Sequence, residues 1–83
     1  MTSPVPLPSH VHYELLLQLL ERRTLPAVPQ YSQQQQQVQS LIVSLRKALS
    51  QQKRLEETCR HEQTPVEYYW SLNEIPPPLR SDI

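Results

Sequence analysis

Residues 38–65 read VQSLIVS, LRKALSQ, QKRLEET, CRHEQTP when written in sevens. The first, fourth and fifth columns hold Val38, Leu41, Ile42, Leu45, Ala48, Leu49 and Leu55. The second and third hold Arg46, Lys47, Lys53, Arg54, Arg60 and His61. A helix repeats its faces every 3.6 residues, so this spacing sets an apolar stripe against a cationic one. The expected core seam is Val38, Leu41, Ile42, Leu45, Leu49 and Leu55. It fades toward the C-terminal end, where Gln52 and Cys59 fall in the first column and Glu62 in the fourth. Two good heptads are fewer than the three or four a self-sufficient coiled coil needs. The helix therefore packs on a neighbour within the chain, on another chain, or on both.

Working outward from the stripe, Ser32-Gln33-Gln34-Gln35 matches a capping box, S-x-x-Q. A helix is expected over 32–62, about 45 Å long at 1.5 Å per residue. The run Gln33–Gln37 reads as its first turn, since glutamine favours helix and the seven-residue pattern follows at once. Upstream, Ser9 is a suitable N-cap for a helix over 9–23. There Tyr13, Leu16, Leu17 and Leu20 share one face, while Val11, Leu15 and Leu19 line the adjacent one. Such a helix should be buried on more than one side. Arg22 and Arg23 suit its C-terminal dipole, and Pro26 is expected to end it.

Downstream, Thr64-Pro65-Val66-Glu67 looks like a second capping box with proline at the first helical position. It predicts a short third helix over 65–72, carrying Tyr68, Tyr69 and Trp70. Pro76, Pro77 and Pro78 forbid its continuation. The expected fold is all-α: a helical hairpin whose second helix is long, a short third helix, and extended proline-rich termini. In domain terms, 1–8 is a flexible lead-in, 9–72 a single small helical domain and 73–83 an extended tail.

Composition narrows the function. The chain has 83 residues and no glycine. Phosphate-cradling loops need glycine for close approach and positive φ, so no dinucleotide fingerprint, P-loop or nucleophile elbow can be drawn. Cys59 is the one cysteine, which excludes an internal disulfide and favours a reducing intracellular compartment: cytoplasm or nucleus, or a mitochondrion. The run Leu15–Leu20 is far shorter than the ~20 residues needed to span a bilayer. Cys59 and His61 stand two apart on a helix and diverge, so no metal site is expected. No cofactor, small-molecule substrate or catalytic residue is expected either.

Three surfaces remain. Arg46, Lys47, Lys53, Arg54 and Arg60 form a basic stripe, read either as a solvated face or as a contact for nucleic acid or an anionic membrane. Glu56 and Glu57 interrupt it. Tyr69 and Trp70 are either a lid on the helices or an anchor in a partner's pocket. Leu16-Leu17-Gln18-Leu19-Leu20 resembles the L-x-x-L-L box of nuclear-receptor coactivators, which would place Leu16, Leu19 and Leu20 in a partner's groove. A leucine-rich helix packed in a core accounts for the same five residues and is the reading taken. The first helix has more apolar surface than one long helix can cover. A second chain is therefore expected over Leu16, Leu20, Tyr69 and Trp70, a different protein rather than a homodimer. The expected function is a non-enzymatic adaptor or structural subunit. The alternative is a regulatory protein that lays its basic helix face on nucleic acid or membrane.

Overall fold

Ser9 is the joint from which the architecture grows. In the computed structural model, which describes residues 3–72, the order is strand β1 (Val5–Pro8), helix α1 (His10–Leu19), a π-helical segment (Leu20–Thr24), short helix α2 (Leu25–Ala27), long helix α3 (Gln33–His61) and strand β2 (Val66–Tyr69). Ser9 is extended and its hydroxyl accepts from the Val11 N–H, so it ends β1 and caps α1 as expected. Its own N–H donates to the Tyr69 carbonyl at 3.0 Å, which joins the helix start to β2.

The first helical stretch runs unbroken from His10 to Ala27, past the expected stop at Pro26. Proline lacks an N–H and its ring crowds the carbonyl of the preceding turn. The chain meets this by widening. Leu25 donates to the Leu20 carbonyl five residues back, a π-type bond, and the helix survives one more turn. At Val28 the backbone becomes extended and the hairpin turn begins. Ser32 then caps α3, its hydroxyl accepting from the Gln35 N–H at 3.0 Å. The glutamine run is the first turn of that helix. Helix α3 closes with Gln63 in the left-handed region, φ 59°. Thr64 and Gln63 donate back to the carbonyls of Cys59 and Arg60, a Schellman arrangement with glutamine where glycine is usual.

The all-α expectation is corrected by the ends. The short helix expected over 65–72 is absent; Val66–Tyr69 form a strand that pairs in parallel with Val5–Pro8. The register is Val5 with Val66, Pro6 with Glu67, Leu7 with Tyr68 and Pro8 with Tyr69. Two causes outweigh the capping box at Thr64. Valine and tyrosine are strong strand formers. Also, Val5 donates to the Pro65 carbonyl at 2.9 Å, a long-range bond that a local capping signal does not anticipate. Within the lead-in Val5–Pro8 are extended as expected, but paired. The proline tail expected at 73–83 lies outside the described residues.

Pro6 and Pro8 of β1 share one phase with Pro4 just before it. Val5 donates to the Pro65 carbonyl just before β2 and Ser9 to the Tyr69 carbonyl, and the same step puts the Leu7 N–H opposite Glu67. Pro4, Pro6 and Pro8 therefore turn their N–H-less nitrogens away from β2. A strand tolerates proline only where no ladder bond is required, and here all three meet that condition.

The extents are 53 × 35 × 16 Å. Two helices side by side form a single helical layer, and the small sheet meets it through Pro8 at Gln52. Domains normally bury a core between two layers. Here the buried apolar residues among those described are only Leu17, Ile42 and Cys59.

Candidate interaction surface

The seam on α3 follows one unbroken line. Its shielded positions are Gln35, Val38, Ile42, Leu45, Leu49, Gln52, Glu56 and Cys59, in alternating steps of three and four. Ala48 is shielded beside them. Of the expected seam residues, Val38, Ile42, Leu45 and Leu49 lie on this line. Leu41 and Leu55 stand one column to the side and are 52% and 44% exposed. On the first helical stretch His10, Tyr13, Leu17 and Leu20 face α3 with the same alternation.

In its C-terminal half the seam turns polar without ending. Gln52 is 6% exposed and every polar side-chain atom is used. Its oxygen accepts from the Tyr13 hydroxyl at 2.7 Å. Its nitrogen donates to the Pro8 carbonyl at 2.8 Å and to the Glu56 carboxylate at 2.9 Å. His10 Nε2 reaches the same carboxylate oxygen at 2.7 Å, and its ring meets that of Tyr68 edge-on, centroids 5.6 Å apart. Burial pushes the Glu56 carboxyl up, but hydrogen bonds from Gln52, His10 and Tyr68 outweigh it and hold the group below its ordinary value of 4.5. One helix, both strands and the N-terminus of α1 thus meet at two side chains. A second tie lies beside this cluster. The His12 ring reaches the Ser9 carbonyl at 3.1 Å and the Trp70 carbonyl at 2.7 Å.

Flanking the seam, the two sides of the hairpin differ. On α3 one flank carries Gln39, Arg46, Lys53 and Arg60, and the other Leu41, Ala48 and Leu55, each set seven apart. On the first stretch one flank carries Glu14 and Glu21, and the other Leu16 and Leu19. An ion pair between Glu21 and Arg46 shows which flanks adjoin. The acidic flank meets the basic one, so the two leucine flanks lie together on the opposite side. Leu16, Leu19, Leu41 and Leu55 are each 44–52% exposed there. His12 shares the Leu16 flank and carries Trp70, which is 57% exposed, to its end.

The expected partner residues therefore separate. Leu16 and Trp70 lie on this face. Leu20 is half-buried in the seam, and Tyr69 is half-buried with its carbonyl bound to Ser9. Leu19, Leu41 and Leu55 complete the face. The basic stripe is wholly exposed. Arg46 is paired with Glu21 and Arg60 with Glu57, which leaves Lys47, Lys53 and Arg54 without an acidic partner among the described residues. The polar joint was not foreseen. Its one sequence signal was the first and fifth columns continuing past Leu49 as Gln52, Glu56 and Cys59 at unchanged spacing. No group of three or more His, Cys, Asp or Glu side chains converges among the described residues. No described helix is long and apolar enough to cross a membrane.

The sequence profile of a family of unknown function, DUF5340, matches residues 2–71, the full strand–hairpin–strand unit. A protein of Anabaena cylindrica is 59% identical over 69 residues, which cover 83% of this chain and 84% of that one. It is described as an uncharacterized 9.3 kDa protein in the soluble hydrogenase 5′ region. No solved structure matches the chain.

Proposed function

The chain belongs to this family of unknown function, so its role must be read from its own surfaces, and we propose that it is a non-catalytic helical subunit that packs its leucine face on a different protein. The observation that carries the reading is the exposed set Leu16, Leu19, Leu41 and Leu55 on one side of a two-helix hairpin. Scattered surface leucines need no explanation, but four on one side of so small a chain do. Interfaces place aromatic anchors beside such apolar centres, and Trp70 stands at the end of this one. The His10–Glu56 pair lends no support to catalysis. Its carboxylate already accepts from Gln52, His10 and Tyr68, which ties β2 and the start of α1 to α3.

The test uses native extract and tagged full-length chain. Partner capture should be saturable, should survive high salt, and should be lost in Leu19→Glu with Leu41→Glu. It should be retained in Lys47→Glu with Arg54→Glu. The reverse pattern, with capture lost in salt and in the cation variant, would overturn the reading. Phosphate binding weakens steeply with salt, so that result would assign function to the basic stripe on nucleic acid or membrane.

A further inference from the structure

Charge is spread unevenly along this chain. From Arg22 to Leu55 the sequence holds six cations, Arg22, Arg23, Arg46, Lys47, Lys53 and Arg54, and no acid. Every carboxylate side chain that balances them lies outside that stretch. Glu21 reaches in to pair with Arg46. Lys47, Lys53 and Arg54 have no acidic partner among the described residues. The back of α3, turned away from the seam, carries Gln36, Ser40, Lys47, Ser50, Gln51 and Arg54 at helical spacing, all exposed. Val43 is the one apolar side chain between them, and it is half exposed. No described element covers this side.

We propose that the back of α3 lies in the major groove of duplex DNA. Lys47, Lys53 and Arg54 meet phosphates, and the glutamine and serine side chains meet base edges. The side-chain types select this ligand. Phosphate oxygens draw Arg, Lys, Ser and Gln, and a glutamine amide matches the edge of adenine. The major groove of B-form DNA is about 12 Å wide and admits one helix, whereas that of A-form RNA is too deep and narrow. A protein interface would centre on aromatic or apolar groups with charge depleted, and this face has the reverse composition. A helix lying on a membrane needs large apolar groups beside its cations, and here there is only Val43. The back of α3 is a different surface from the leucine side, so either proposal can fail alone. Together they make the chain a link between DNA and a protein.

Fluorescence anisotropy with the full-length chain tests it, using a labelled DNA duplex longer than the roughly 13 base pairs that α3 spans at 3.4 Å each. Three phosphate contacts predict that affinity falls about 40-fold between roughly 50 and 200 mM salt. Lys47→Gln with Arg54→Gln should weaken binding and cut that fall to about 3-fold, with the helical circular dichroism kept. Leu19→Gln with Leu41→Gln should leave both quantities unchanged. No binding at the lower salt would overturn the proposal, as would an unaltered salt dependence in the cation variant. So would equal affinity for an RNA duplex of the same sequence, because the helix would then be outside the groove. So too would equal affinity for phosphatidylserine vesicles or polyglutamate, which would mean that any polyanion serves. Binding lost in the leucine variant would place the contact on the other surface and overturn it as well.

Discussion

Gln52 sits where the stripe asks for a leucine. A buried polar group is destabilising unless its hydrogen bonds are made, and here they are made to Tyr13, Pro8 and Glu56. Replacing it by leucine keeps the bulk and leaves three polar groups short of a partner. Gln52→Leu should therefore lower stability by about 1–3 kcal/mol, seen as a lower melting temperature. Glu56 makes the same joint sensitive to acid. Its carboxyl titrates lower in the folded chain than in the unfolded one, so the unfolded state binds the proton more readily. The stability this adds is complete above the ordinary value of 4.5 and is lost as pH falls through the folded value. Thermal melts taken downward from neutral pH should show a loss in that acid range, which Glu56→Gln should flatten. The joint was half legible in the sequence. The heptad step reaches Gln52 and Glu56, but nothing in their identity says that Tyr13 and His10, about 40 residues earlier, will meet them.

At the scale of the element, α3 separates what periodicity can show from what it cannot. Its start at Ser32, its length and its basic exposed face follow from local chemistry: a cap, helix-forming residues and a seven-residue beat. Which leucines are buried depends on where α1 lies, and the seam runs to the Ile42 side of the stripe rather than through Leu41. The contrast can be measured. Ile42→Ala should cost about 2–5 kcal/mol, and Leu41→Ala on the isolated chain about 0.5 kcal/mol, in chemical denaturation. Equal losses would mean the seam is centred elsewhere. The strands are the opposite case. Thr64-Pro65 carries a good helix-start signal, and Val66–Tyr69 pairs instead with a segment at the far end of the chain. Local pattern carries no record of that pairing, although the alternation of proline with Val5 and Leu7 was its visible half.

For the whole molecule the governing fact is that two helices make most of it. A two-helix hairpin has two sides and little interior, so whatever its seam does not bury faces outward. One side solves this with Glu21, Arg46 and their charged neighbours. The other presents Leu16, Leu19, Leu41 and Leu55. A chain this size has only a few kcal/mol to hold it, and a leucine face left in water adds nothing to that. This asymmetry of charge and leucine is the reason a protein partner is proposed for the leucine side.

The most direct measurement is hydrophobic-dye binding during a thermal melt, on the purified full-length chain and on a variant with Leu16, Leu19, Leu41 and Leu55 all changed to glutamine. The wild-type chain should bind dye before it melts and should melt at low temperature. The variant should keep its helical circular dichroism and lose the dye signal. A wild-type chain that binds no dye and melts cooperatively at high temperature would contradict the account, because its leucine face would then need no covering protein.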